Sequence, residues 1–393
     1  EDGVMIAGRI RELVPKVAAE KVAALAVEAR EKMKLRHAPL LLVREMARVP
    51  THRQLVAETL LRVIQRADEL SEFVALYWSD GKQPLSAQVK KGLAAAFTRF
   101  DEYALAKYDR ASPVKLRDVL FLCHAKPVDA AQAELWKRLV AGELATPDTW
   151  EVALSAGPGV DKREAWERLL TENKLGALAL LRNLRNMAEA RVDEQLVRAG
   201  LGRMKTERVL PFRFIAAARY APQWEPELEK AMLRSLEGQP RLRGKTVLLV
   251  DVSGSMDAPL SRRAEMRRND AAYGLAVLLR EIAEQVSIYT FSDKLVRVPS
   301  RQGFALRDAM NASQPHGGTY LGRALGEIDE KYDRLIVITD EQSHDAVPNP
   351  RARGYVINVA SFQNGVGYGK WVHIDGWSDS VIEYIRAAEP AIE

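Results

Sequence analysis

The run Thr246-Val247-Leu248-Leu249-Val250-Asp251-Val252-Ser253-Gly254-Ser255 marks the point where one periodicity gives way to another. Thr246 to Val252 are apolar or β-branched except for Asp251, the composition of a short strand covered on both faces of a parallel sheet. Downstream, the pattern predicts a helix from Asn269 to Gln285, a strand Val286–Phe291, a helix Leu321–Tyr332, and strands Arg334–Asp340 and Gly354–Val359. Strand and helix alternating in this way predict a doubly wound α/β domain over residues 241–393. In such a sheet, ligands bind at the carboxyl ends of the strands, where Asp251 and Asp340 lie.

Upstream the chain is written in a helical period. Apolar residues recur at three- and four-residue spacing, as in Leu40-Leu41-Leu42-Val43-Arg44-Glu45-Met46-Ala47. Turn chemistry interrupts it at Val49-Pro50-Thr51, Ser79-Asp80-Gly81, Ser112-Pro113 and Thr146-Pro147-Asp148, and the last two also offer an N-cap followed by Pro at the first helical position. Residues 1–240 are therefore expected to form antiparallel helix pairs stacked as a solenoid of HEAT-like repeats, with no strict sequence period. The fold class predicted is multidomain, α plus α/β.

Composition bounds the function. A chain of 393 residues, 47% hydrophobic and 28% charged, is long enough for two cores, and its balance excludes intrinsic disorder and collagen-like sequence. No stretch approaches the roughly 18 apolar residues of a membrane span, so no membrane partner is expected. The single cysteine, Cys123, excludes an intramolecular disulfide and suits a reducing cytoplasm. In the run Val119 to Cys123 it reads as a buried, inert thiol.

Asp251-Val252-Ser253-Gly254-Ser255 matches D-x-S-x-S, and resembles the metal-ion-dependent adhesion site of von Willebrand factor A-type domains. Alternating hard oxygens on a tight loop suit a divalent ion, and Mg²⁺ accepts a few protein ligands while keeping waters. The resemblance adds Thr319, in His316-Gly317-Gly318-Thr319, and Asp340, ending a later strand, to Asp251, Ser253 and Ser255 as the ligand set. It also implies an open coordination position that would take a carboxylate from an acidic protein ligand. The competing reading is a loop aspartate capping a helix alongside its neighbouring hydroxyls. A phosphatase would need a second carboxylate two residues after the first to act as general acid, but position 253 is Ser.

Positive charge concentrates between Arg182 and Arg219, with nine basic residues against four acidic. Arg182, Arg185 and Asn186 recur at helical spacing with Asn183 beside them, a combination suited to phosphates and base edges. An ordinary solvated helix face with ion pairs is the bland alternative. A second cluster comprises Lys107, Arg110, Lys115, Arg117 and His124, around a predicted helix–turn–helix boundary. His124 alone reads equally as a core or capping histidine.

The two halves together resemble the Ro autoantigen family, in its bacterial form: a helical TROVE module followed by a von Willebrand A domain. The stretches that carry the resemblance are Lys90-Lys91-Gly92-Leu93-Ala94 through Lys107-Tyr108, Asp118 to Pro127 with its His-x-Lys-Pro ending, Asn173 to Met187, and Leu210-Pro211-Phe212-Arg213-Phe214. The resemblance implies a ring-like helical half bridged by the A domain. It also implies binding of small non-coding Y RNAs and of single-stranded ends of misfolded RNAs, in partnership with an exoribonuclease such as polynucleotide phosphorylase. Lys107, Arg110 and His124 match family positions implicated in RNA contact. A monomeric, non-enzymatic cytoplasmic RNA scaffold is the leading expectation. The alternative is a metal-dependent protein-adhesion module with a HEAT-like protein-binding array. No G-x-x-x-x-G-K-[ST] loop occurs, and paired carboxylates for two-metal hydrolysis are missing from the motif, so an enzyme is not expected.

Overall fold

The computed structural model describes residues 3–109, 112–155, 161–207, 209–260, 266–360, 369–376 and 380–389. Two compact units divide the chain at residues 153/154, not where the periodicity changes at 240/241.

Residues 2–153 form the first unit, built of helices about two to three and a half turns long, from Gly3–Leu13 to Ala130–Ala141. Their caps follow from sequence. Ser86, Asp101 and Asp129 each accept a hydrogen bond from an amide in the first turn, and Gly142 closes helix Ala130–Ala141 at positive φ. One apolar core joins them, including Val43, Met46, Leu60, Phe73, Leu93, Phe97 and Trp136. Gly92 is required by packing: a Cβ there would lie 2.9 Å from the Ala57 carbonyl oxygen, where the helices Arg53–Val63 and Ala87–Phe97 meet. Cys123 is buried, and burial pushes its thiol pKa up, as befits an inert side chain.

The second unit begins with helices Lys162–Thr171, Ala177–Glu189, Glu194–Arg203, Pro211–Tyr220 and Glu225–Leu236. A six-stranded sheet follows: β1 (Leu242–Asp251), β2 (Ala283–Phe291), β3 (Leu295–Arg297), β4 (Arg334–Thr339), β5 (Arg353–Asn358) and β6 (Trp371–Asp375). Its order is β3-β2-β1-β4-β5-β6, parallel except for the antiparallel edge strand β3. The doubly wound domain expected from the sequence is thus present, with two short strands, β3 and β6, that the pattern did not predict. The predicted helix from Leu321 ends at Glu327.

Val247 to Val250 are wholly inaccessible, which is why β1 reads as a continuous apolar run. Each such side chain contributes about 1.5–3 kcal/mol on burial. The helix Arg268–Ile282 is buried along nearly its whole length, and Pro211–Tyr220 packs across it. Polar contacts reinforce this junction. Arg219 pairs with Asp270 at 2.7 Å, Glu229 Oε1 accepts from Phe304 N at 2.8 Å, and Arg307 pairs with Glu225 at 3.3 Å. These contacts explain why helices before residue 240 belong to the unit that contains the sheet. Among the described residues no helix is long and apolar enough to cross a membrane.

Candidate metal centre and basic surfaces

The parallel register of β1 with β4 brings the carboxyl ends of both strands to one edge. Asp251, at the end of β1, and Asp340, just beyond β4, are both fully buried there. The Asp251 carboxylate accepts from Ser253 N at 2.8 Å and from the Thr339 hydroxyl at 2.6 Å. The Ser253 and Ser255 hydroxyls lie 3.2 Å apart. Gly254 donates its amide to the Gly317 carbonyl at 3.1 Å, which seats the Pro315–Thr319 loop against the D-x-S-x-S loop. Gly254 is not in the left-handed region. The position is tight because a Cβ would approach the His316 carbonyl oxygen to 3.3 Å.

The Gly317–Thr319 segment is fixed from several sides. Ser292 Oγ donates to Gly318 O at 2.8 Å and accepts from Gly317 N at 2.9 Å, and Asp293 accepts from Gly318 N at 3.1 Å. His344 N donates to Thr319 O at 2.8 Å. Thr319 is buried, held among these loops rather than free to rotate into solvent.

Burial pushes the Asp251 pKa up to about 7, and the nearby Asp340 charge adds to the effect against the hydrogen bonds from Thr339 and Ser253. Two buried carboxyl groups flanked by neutral hydroxyls form a donor set suited to a hard divalent cation. Asp251, Ser253, Ser255, Thr319 and Asp340 are the residues that could hold one. Sequence reasoning did not anticipate Arg268. Its Nη1 donates to Asp340 Oδ2 at 2.5 Å and to Ser255 O at 3.2 Å. A separate group, Glu341, His373 and Asp375, gathers three potential ligand atoms beside the ends of β4 and β6.

The basic residues fare unevenly. On helix Ala177–Glu189, Arg182, Arg185 and Asn186 are exposed, as the spacing predicts. Arg185 pairs with Glu189 at 3.0 Å on the surface. Asn183 departs from the expectation. It is buried on the apolar face with Leu180, Leu184 and Met187, donates to Ala179 O at 2.8 Å, and accepts from Asn186 at 2.9 Å. Its amide is spent within the helix, so it is not a surface contact. Arg198 is held by Glu227 and Glu194, Arg219 by Asp270, and Arg203 donates to Leu170 O. Three of the nine basic residues in the window, Arg185, Arg198 and Arg219, are thus paired with carboxylates. Arg208 and Arg110 lie outside the described residues.

Arg182 and Arg213 behave differently. Among the described residues neither makes an ion pair. Arg213 is exposed, but its guanidinium packs 5.2 Å from the Phe212 ring centroid. Partial burial lowers the Arg213 pKa, and the nearby positive charge of Arg182 lowers it further. The two cations come from helices Ala177–Glu189 and Pro211–Tyr220, which pack against each other.

In the first unit, Lys107 is half-buried, with its ammonium 5.7 Å from both the Tyr103 and Tyr108 ring centroids. Lys115 and Arg117 are exposed, and their charges oppose the burial that raises the Asp109 pKa. His124 is exposed and ends helix Leu116–Cys123 in the left-handed region at φ 52°. It is a capping residue, one of the two bland readings, yet its ring remains open to solvent.

Residues 130–272 match the TROVE domain, a segment that begins at helix Ala130–Ala141 and ends inside the central helix, thereby including the D-x-S-x-S loop. The similarity to that family covers about a third of the chain. Its fold resembles that in the crystal structure of the Deinococcus radiodurans Ro (RSR) protein, with TM-score 0.70 and 19% identity over 96% of this chain and 92% of that one. No curated protein matches this chain by sequence.

Proposed function

We propose that this chain is a non-enzymatic, cytoplasmic RNA-binding scaffold that holds small structured RNAs and single-stranded RNA ends. The observation that carries the reading is that Arg182 and Arg213, on the packed helices Ala177–Glu189 and Pro211–Tyr220, are both exposed and make no ion pair among the described residues. Exposed guanidiniums recognise phosphate through charge-assisted, bidentate hydrogen bonds. The TROVE match over residues 130–272 and the Ro fold support the same direction. In the first unit, Lys115, Arg117 and His124 offer exposed contacts, while Lys107 beside Tyr103 and Tyr108 places a cation next to rings that a base can stack on.

The second element of the proposal is a divalent ion, Mg²⁺ by preference, held at Asp251, Ser253, Ser255, Thr319 and Asp340. When bound, the ion would supply a Lewis-acidic position for an acidic protein ligand. The chain's own residues orient the site: Thr339 and Ser253 fix the Asp251 carboxylate, and Ser292 fixes the loop bearing Thr319. Cooperation with an exoribonuclease such as polynucleotide phosphorylase, and Y RNA as the cognate RNA, follow from the Ro resemblance.

Sequencing RNA cross-linked to the protein in its native cell tests the proposal. Enrichment of a small structured RNA, with cross-links at peptides bearing Arg182, Arg213 or His124, is the expected result. Recovery of RNA at background level would leave the protein-adhesion alternative.

A further inference from the structure

Asp251 and Asp340 are fully buried carboxylates, and burying charge without a partner is costly. The positive charge that meets Asp340 comes from the protein itself. Arg268, about nine-tenths buried, reaches Asp340 Oδ2 at 2.5 Å and Ser255 O at 3.2 Å, so one guanidinium touches two residues of the metal-ligand set. Its position is enforced by the start of the central helix. Arg268 N donates to Ala258 O at 3.0 Å, Arg267 N donates to Asp270 at 2.9 Å, and Asn269 Nδ2 donates to Asp257 at 2.8 Å.

We propose that Arg268 is a tethered counter-ion of the candidate metal centre, one that competes with the divalent cation for Asp340. The proposal rests on the metal-site reading above and adds an affinity control to it. A divalent ion held by the Asp251 and serine oxygens lies close to a permanent guanidinium charge and is repelled by it. Asp340 offers Oδ2 to the ion only after Arg268 yields it. The centre is therefore a weak, exchangeable site, and filling it disturbs the first turn of helix Arg268–Ile282.

Titration of Mn²⁺ at pH 8, followed by the electron paramagnetic resonance signal of the free ion, tests the proposal on the full chain. Arg268→Gln is expected to bind at least about tenfold more tightly than the unmodified protein, because one repelling charge is gone. Arg268→Lys, which keeps the charge, is expected to stay within about threefold of the unmodified protein. Should the Gln variant fail to fold, Arg268→Met, which keeps an apolar stem in place, carries the same expectation. Equal or weaker binding by the charge-removing variants overturns the proposal and leaves the metal site standing. No Mn²⁺ binding by any form, with Asp251→Asn indistinguishable from the unmodified protein, overturns both.

Discussion

Gly274 and Phe212 are in closer contact than any side chain at position 274 would allow. A Cβ on Gly274 would sit 2.7 Å from the Phe212 Cβ and 2.9 Å from both its Cα and its amide nitrogen. Gly274 thereby lets helix Pro211–Tyr220 lie directly on the buried central helix and joins helices before residue 240 to the sheet. Gly274→Ala is expected to destabilise the second unit by about 1–3 kcal/mol through overpacking. Urea unfolding would show it, and a loss below about 0.5 kcal/mol would mean the helices separate freely.

His124 holds a left-handed conformation at a helix end, where glycine is favoured. A non-glycine residue there carries a modest backbone cost that glycine would relieve. Replacing it with glycine is expected to raise stability by up to about 1 kcal/mol while weakening RNA binding several-fold. Thermal unfolding and RNA binding on the same variant separate the two effects. A variant no weaker in RNA binding would reduce His124 to a cap.

Asp80 receives Arg48, Arg44 and Arg11, and the hydrogen bond from Arg48 leads in lowering its pKa from 3.8 to about 2. A carboxyl depressed in the folded state stabilises the protein above its ordinary pKa and loses that contribution as pH falls toward the folded one. Asp80→Asn is therefore expected to melt at a lower temperature than the unmodified protein at pH 6. The gap should narrow between about pH 4 and pH 2. A gap independent of pH would place the effect in packing instead.

For the metal centre, Mg²⁺ is expected to raise the melting temperature of the unmodified protein in a concentration-dependent way. The gain approaches about 2.7 kcal/mol at a hundredfold excess over Kd. Asp251→Asn, with its ion-binding charge removed, should show no such rise and should keep its RNA affinity. Collapse of RNA binding in a folded Asp251→Asn variant would show that the two sites are coupled.

The legible parts of the fold were those written in strong local chemistry. Val247–Val250 and the D-x-S-x-S loop announced a buried strand with a polar terminus, and the structure places Asp251 and Asp340 together at that edge. Strand β3 is three residues long, and β6, Trp371-Val372-His373-Ile374-Asp375, is only partly buried, so neither carried a clear period. The division at 153/154 was hidden because it depends on tertiary contacts such as Gly274 against Phe212, separated by dozens of residues. Arg268 was equally invisible, since its partner lies 72 positions away. Asn183 was misplaced because composition marked the helix face as polar, whereas helical geometry puts that amide between Leu180 and Met187.

Filter binding of a single-stranded RNA across a salt series tests the central claim most directly. Each arginine that neutralises a phosphate on a single strand contributes about 0.7 to the slope of log affinity against log salt. The unmodified protein is expected to bind with a steep slope. In Arg182→Ala/Arg213→Ala the slope should fall by about 1.4 and the affinity drop at moderate salt, while Arg185→Ala, already paired with Glu189, should change little. Identical affinity and slope for the double variant and the unmodified protein would contradict the account.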